Sequence, residues 1–77
     1  MPHVNVKMYP GSSDAQKREL TDRIVSAVID TIGVSQAVVS VAIEEVSAEQ
    51  WPEQVYRPEI ADKADTLTKE PGYDPFS

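Results

Sequence analysis

Pro2 is the first residue of the chain whose chemistry stands out. Methionine before a residue as small as proline is normally removed after synthesis, which would leave Pro2 with a free secondary amine. A model α-amino group titrates at about pH 7.7–8.0, and burial beside apolar groups lowers that pKa because desolvation disfavours the charged form. Proton abstraction next to a carbonyl requires a base with a pKa near the operating pH. Pro2 is therefore a candidate general base, and the alternative is that it merely begins a strand.

Few other side chains in the sequence suggest chemistry. His3 is adjacent to Pro2 and is a candidate for binding a ligand. Neighbouring residues of a strand face opposite sides, however, so the alternative is that His3 is only a partly exposed or interfacial strand residue. Glu44 and Glu45 face opposite sides for the same reason, which argues against a shared carboxylate pair. One His and no Cys do not supply the usual ligands of a zinc site.

The residues around Pro2 predict a strand followed by a helix. Residues 2–8 alternate between apolar and polar side chains, with Pro2 on the apolar face, as in a half-buried strand. Residues 13–16 have the form of a capping box, so a helix should begin there. We expect the helix to end at Gly33 and to present an apolar stripe, formed by Leu20, Ile24, Ala27, Val28 and Ile32.

Residues 38–43 alternate and are rich in β-branched side chains, which predicts a second strand. Strand, helix and strand in this length form a βαβ unit, whose crossover helix makes the strands parallel. The fold class is therefore α/β (α+β). Two parallel strands covered by one helix leave a face and both edges unprotected, so dimerisation into a four-stranded sheet should complete the fold.

The last third of the chain predicts less regular structure. Residues 47–50 again have the form of a capping box, but Pro52 limits the next residues to a short turn or helical loop. Pro58 suits the first position of a second helix, which Pro71 would end. That helix would carry a thinner apolar stripe, formed by Ile60, Ala64 and Leu67. The tail keeps two aromatic residues, Tyr73 and Phe76, which we expect to pack against another surface, with the partner chain as one candidate.

Length and charge exclude several classes of protein. The chain of 77 residues allows a single domain spanning residues 1–77. Apolar burial at this size only offsets the entropy of ordering the chain, which again predicts a homodimer. The net charge of -6, with seven scattered basic residues, argues against binding to nucleic acid or to an anionic membrane. With no spanning stretch and no signal-peptide pattern, we expect a soluble cytoplasmic protein.

The chain resembles the 4-oxalocrotonate tautomerase family over nearly its whole length. The resemblance lies in residues 1–7, 11–17 and 39–45 and in Trp51. Its most specific feature is a proline at position 2 that heads a βαβ unit of this length. The longer C-terminal helix and residues 69–73 look like the dimeric phenylenolpyruvate-tautomerase-like branch, also described as PptA-like.

This resemblance implies an isomerase, a cofactor-independent keto–enol tautomerase that acts on a small-molecule substrate. Pro2 would be the general base, taking a proton from the enol hydroxyl of a 2-oxo acid and returning it to carbon. Trp51 falls where the family has a pocket aromatic, and its indole could donate a hydrogen bond; a core or interface aromatic is the alternative. We therefore expect Pro2 and Trp51 in one site.

Two positions depart from the family's pattern. Ser12 and Ser40 stand where the parent branch has the arginines that hold a dicarboxylate, and the resemblance implies that both, like Trp51, are substrate-binding residues. Serine donates a hydrogen bond but lacks the charge and fork of arginine, so we expect a monocarboxylate enol such as phenylenolpyruvate. The group that binds the carboxylate stays open, with His3, Lys7, Arg57 and backbone amides as candidates.

The missing arginines also favour a different class of function. The alternative hypothesis is a non-catalytic acidic interaction module that keeps the fold. A third hypothesis is a reactive amine that meets electrophiles without a dedicated substrate. Activity that depends on a free Pro2 nitrogen separates the first hypothesis from the second, and selectivity among enols separates it from the third.

Overall fold

The first strand follows the predicted alternation closely. In the computed structural model, which describes all 77 residues, β1 spans His3–Met8. Val4 and Val6 are half-buried, whereas His3 and Asn5 are exposed. Lys7 breaks the pattern because its side chain is half-buried although it shares the polar face. The prediction began the strand at residue 2, one residue before the observed start.

The helix α1 spans Asp14–Ile32, as its capping signals predict. The Ser13 hydroxyl accepts a hydrogen bond from the Gln16 amide at 3.1 Å, and the Ser13 amide donates to the Gln16 side chain at 2.8 Å. Gly33 ends the helix with φ 79° and ψ 34°, the left-handed conformation that glycine adopts without steric cost. The capping box and the glycine stop are both confirmed.

The apolar stripe of α1 differs in part from the prediction. Leu20, Ile24 and Val28 are half-buried as expected, together with Val25 and Ile29, which the prediction did not include. Ala27 is exposed, and Ile32 is 61% exposed. The stripe therefore ends one turn before the helix does, and a large apolar side chain lies in solvent within the single chain.

The second strand, β2, spans Ser40–Glu45 and pairs in parallel with β1. The register runs from His3 opposite Ser40 to Met8 opposite Glu45. The parallel βαβ unit is thus confirmed, but the predicted start of β2 at Val38 is wrong. A 3₁₀ turn, Gln36–Val38, comes first, because the Ser35 hydroxyl accepts from the Ala37 amide at 3.2 Å and stabilises a turn instead of a strand.

The C-terminal helix differs most from the prediction. A π-helix spans Pro52–Ala61, and a separate 3₁₀ turn spans Ala64–Thr66. Pro52, and not Pro58, lies at the start of the helix, so the predicted start is wrong. Pro58 lies inside the helix, where it has no amide proton to donate and its ring crowds the preceding turn. The helix around Pro58 is a wider one, in which hydrogen bonds join residues five positions apart. The Asp62 amide, for example, donates to the Arg57 carbonyl at 2.9 Å.

The chain divides into two compact units, Met1–Glu45 and Val46–Ser77, called here the βαβ unit and the C-terminal unit. Val55, which is 5% exposed, is the one buried core residue, and it belongs to the C-terminal unit. The βαβ unit contains no fully buried side chain. No helix in the structure has both the length and the apolar character needed to cross a bilayer.

Candidate functional site

Pro2 lies half-buried just before β1, and a backbone hydrogen bond fixes its position. Its carbonyl oxygen accepts from the Ser40 amide at 3.1 Å, which extends the β1–β2 ladder by one bond. Met1 precedes Pro2 in the full chain and is 99% exposed. In this form the Pro2 nitrogen is a tertiary amide without a basic lone pair, so chemistry at that atom requires the removal of Met1.

His3, which follows Pro2 in the chain, and Ser40, which pairs with it across the sheet, form a side-chain hydrogen bond. The His3 Nδ1 lies 2.6 Å from the Ser40 Oγ, and both side chains are exposed. The two residues are opposite each other in the register of the sheet. Ser40 therefore binds both Pro2, through its backbone amide, and His3, through its hydroxyl. The predicted site residues Pro2 and Ser40 lie together, and His3 joins them.

The remaining polar residues of the sheet form pairs on two separate faces. The side-chain amide of Asn5 donates to the Glu44 carboxylate at 3.0 Å, and the Lys7 ammonium lies 3.9 Å from the same carboxylate. Glu45 instead forms an ion pair with Lys17 of α1 at 3.2 Å. The two glutamates thus face opposite ways, as predicted, and do not form a carboxylate pair.

Ser12 lies at the opposite end of the sheet from Pro2 and Ser40. It follows the end of β1 and lines a cavity of about 160 Å³ with four other residues, Met8, Gln16, Lys17 and Leu20. A strand of six residues rises about 17 Å from its first to its last Cα. One chain therefore does not bring Ser12 to Pro2, and a site containing both needs a second chain.

Trp51 lies in the C-terminal unit, where it is half-buried at the start of the π-helix. The turn before it is capped by Ser47, whose hydroxyl accepts from the Gln50 amide at 3.3 Å. The Trp51 indole nitrogen donates to the Tyr73 hydroxyl at 2.8 Å. From the sequence, the Trp51 indole is a candidate donor of a hydrogen bond to a substrate. In the structure that N–H donates to the Tyr73 hydroxyl of the same chain.

The tail packs on the π-helix through aromatic rings, which confirms the prediction for Tyr73 and Phe76. The ring of Tyr56 lies 5.5 Å from that of Tyr73 and 5.9 Å from that of Phe76. The Arg57 guanidinium lies 4.4 Å from the centre of the Phe76 ring. Desolvation raises the pKa of the Tyr56 phenol, and the nearby Asp74 carboxylate adds to the increase.

Arg57 is held by the same helix. Its guanidinium donates to both oxygens of Glu53, at 2.9 and 3.0 Å. These hydrogen bonds lower the pKa of the Glu53 carboxyl and raise that of Arg57. Arg57, one of the candidates for binding a substrate carboxylate, is therefore already paired with a carboxylate and stacked on an aromatic ring. The structure contains no group of three or more His, Asp or Glu side chains that could hold a metal ion.

Sequence reasoning missed two features of these sites. It treated His3 mainly as a strand residue, because the register that places His3 opposite Ser40 depends on where β2 begins, which the prediction misplaced. It also missed Tyr73 as the partner of Trp51. The only sequence signal for that contact is the presence of two aromatic residues in the last five positions, which does not identify the partner.

Comparison with known proteins gives one consistent result. The sequence model of the family described as "Tautomerase enzyme" matches residues 2–57. A probable tautomerase of Xylella fastidiosa is 42% identical over 95% of this chain and 89% of its own. Tautomerase PptA of Cronobacter sakazakii is 41% identical over 96% of this chain and 99% of its own.

Among solved structures, the chain is similar to a heterohexamer 4-oxalocrotonate tautomerase from Chloroflexus aurantiacus. The TM-score is 0.64 and the identity 30%, over 70% of this chain and 87% of that chain. The likeness to PptA therefore includes almost the whole chain, whereas the likeness to this solved structure leaves out about a third of it.

Proposed function

This chain belongs to the tautomerase family and is an isomerase, and we propose that it is a cofactor-independent keto–enol tautomerase for a monocarboxylate 2-oxo acid enol. After removal of Met1, the Pro2 amine acts as general base. It takes the proton of the enol hydroxyl and, as the C=O bond forms, returns a proton to the adjacent carbon. The reaction needs no net redox change and no second reactant.

The observation that carries this proposal is the hydrogen bond from the Ser40 amide to the Pro2 carbonyl at 3.1 Å. It extends the sheet to the residue that bears the amine, so the base is held by a strand ladder and not by a loose terminus. A group fixed in this way needs less reordering before proton transfer, which is the condition for efficient general base catalysis. Because Met1 is exposed, the peptide bond between Met1 and Pro2 is accessible to cleavage.

The proposed substrate class follows from the polar groups near Pro2. Ser40 and His3 lie beside it, and Ser12 lies at the other end of the sheet. Hydroxyl groups bind one carboxylate by hydrogen bonds but do not balance two negative charges. An enol with one carboxylate and an aryl or alkyl group, such as phenylenolpyruvate, fits these groups better than a dicarboxylate does.

The proposed active form is a homodimer. The single chain exposes 5715 Å², against roughly 4,700 Å² for a typical folded monomer of this mass. The exposed apolar residues include Tyr9 and Ile32, and the βαβ unit has no fully buried side chain. A second copy would also supply a Ser12 from the end of its own sheet. Light scattering at micromolar concentration should give twice the mass of the chain, and a monomer mass would contradict this part of the proposal.

The test of the proposed function is the ketonisation rate of phenylenolpyruvate. The protein is prepared with Met1 removed, as verified by mass, and beside it a form that carries one extra alanine before Pro2. We expect the blocked form to lose roughly 100-fold or more of the rate, because general base catalysis contributes about that much. A Pro2→Ala variant, which keeps a terminal amine but loses the ring, separates loss of the base from loss of its placement.

The alternative function, a non-catalytic acidic interaction module, rests on the neutral residues at positions 12 and 40 and on the net charge of -6. It predicts equal rates for the free and blocked forms, both close to that of buffer. Equal rates would therefore reject Pro2 as the base and favour this alternative.

A further inference from the structure

The hydrogen bond between His3 and Ser40 joins a titratable side chain to the residue whose backbone amide binds the Pro2 carbonyl. We propose that His3 is a positioning residue, whose imidazole turns the Ser40 hydroxyl so that it donates to the substrate carboxylate. This inference rests on the proposed function of Pro2 as base. It assigns the carboxylate-binding group, which the sequence leaves open.

The geometry limits what the pair can do. The distance of 2.6 Å between Nδ1 and Oγ leaves room for one proton between these two atoms. If Nδ1 has no proton, the Ser40 hydroxyl donates to it and presents only lone pairs to a ligand. If Nδ1 has a proton, it donates to the Ser40 oxygen, and the Ser40 hydroxyl proton is available to a ligand. The state of His3 therefore decides whether Ser40 is a donor or an acceptor.

A carboxylate selects one of these two states. It has only acceptor oxygens, so it binds where the Ser40 hydroxyl can donate, which requires a proton on Nδ1. Charged histidine always meets that condition, and neutral histidine meets it in one of its two tautomers. Binding of a carboxylate and protonation of His3 thus favour each other. The positive charge of the protonated ring also attracts the anion, a contribution that serine alone lacks.

The surroundings leave the pair available for this role. The other groups on the same face of the sheet are Asn5 and Lys7 of β1 and Glu44 of β2. Asn5 and Lys7 both contact the Glu44 carboxylate, four residues along β2 from Ser40. Both His3 and Ser40 are exposed, so a ligand can reach them.

The first experiment measures steady-state kinetics of phenylenolpyruvate ketonisation for three variants of the protein without Met1. His3→Phe keeps a ring but removes hydrogen bonding, Ser40→Ala removes the hydroxyl, and the third variant combines them. We expect each single change to raise KM roughly 10-fold or more, with kcat within about threefold, because a hydrogen bond to a charged group is lost. The double variant should raise KM no further, since both changes break one interaction.

The control variant is Asn5→Ala, on the same strand and face, which removes a hydrogen bond to Glu44 and not to Ser40. It should leave KM within about twofold of the unaltered protein. An unchanged KM in His3→Phe, or additive effects in the double variant, would overturn the inference. If the form blocked at Pro2 is as active as the free form, the proposed function fails, whatever the KM of these variants.

A second experiment tests the role of His3 in binding, independently of catalysis. The inert acid 3-phenylpropionate is titrated into the protein by calorimetry between about pH 5.5 and 8, the range in which histidine changes charge. Binding should weaken several-fold as the pH rises. His3→Asn, whose amide can occupy the place of Nδ1 but does not titrate, should lose most of that dependence. The Pro2 amine titrates in both proteins, so the difference between them isolates the imidazole.

The uncharged analogue 3-phenylpropanamide provides the matched ligand control. Its binding should show no difference in pH dependence between the unaltered protein and His3→Asn. An equal pH dependence of 3-phenylpropionate binding in both proteins would overturn the inference. Failure of both proteins to bind the acid at all would do the same, because the pair would then have no carboxylate to hold.

Discussion

The two compact units of this chain are stabilised by different kinds of contact. The βαβ unit relies on backbone pairing between β1 and β2 and on polar side-chain pairs, with no fully buried residue. The C-terminal unit has the one buried core residue, Val55, and a cluster of aromatic rings that fixes the tail. The unit that carries Pro2 therefore contains both strands but has no buried core residue. We infer that contacts with a second chain stabilise it.

The largest expected effect on stability tests this contrast in the C-terminal unit. Val55→Ala removes two methyl groups from the one buried core position, at 5% exposure. We expect a loss of about 2 kcal/mol in the free energy of unfolding, since a cavity adds to the lost transfer energy. Urea unfolding followed by tryptophan fluorescence measures it, because Trp51 reports on the same unit. Gln54→Ala, an exposed change on the same helix, should cost less than about 0.5 kcal/mol.

A smaller effect compares the two capping signals, which look alike in the sequence. Ser13 and Gln16 satisfy each other's amides, whereas at the second site Ser47 accepts from Gln50 at 3.3 Å. Ser13→Ala should lower the free energy of unfolding by about 1 kcal/mol. Ser47→Ala should cost about half as much, because its hydrogen bond is longer and caps only a turn. Thermal unfolding by circular dichroism measures both, and a larger cost at Ser47 would contradict the comparison.

The smallest effect concerns the pH dependence of the C-terminal unit. Hydrogen bonds from Arg57 lower the pKa of Glu53, so Glu53 binds protons less readily in the folded than in the unfolded state. Its contribution to stability is therefore present above the unfolded pKa and is lost as the pH falls through the folded pKa. Glu53→Gln should make the acid side of the stability profile slightly less steep. The exposed pair is screened by solvent, so a steep change would contradict this assignment.

The βαβ unit could be predicted because its signals are local. Alternation in β1, the capping box at Ser13 and the left-handed Gly33 each depend on a few neighbouring residues, and each is found as predicted. The start of β2 was misplaced because Ser35 stabilises a short turn over residues that alternate like a strand. That choice depends on a side-chain hydrogen bond that residue types alone do not reveal.

The C-terminal unit could be predicted only in outline. Pro52 and Pro58 both suit the first position of a helix, and the sequence does not distinguish between them. Two features accompany the observed start: the turn at Ser47, which is a local contact, and the aromatic packing of the tail, which comes from tertiary structure. For the candidate site, the sequence identified Pro2 and Ser40 but not the bond of Ser40 to His3, which appears only once the register is known.

The most direct test of the account is a titration of the Pro2 nitrogen itself. Protein labelled with ¹⁵N and lacking Met1 gives the pKa of that amine by NMR, and the rate of phenylenolpyruvate ketonisation is measured over the same pH range. Because only the unprotonated amine is a base, kcat/KM should rise with pH in the His3→Asn variant, where no imidazole affects substrate binding, and its midpoint should match the pKa of Pro2 in that variant. A rate that does not follow the titration of this nitrogen would contradict the assignment of Pro2 as the general base.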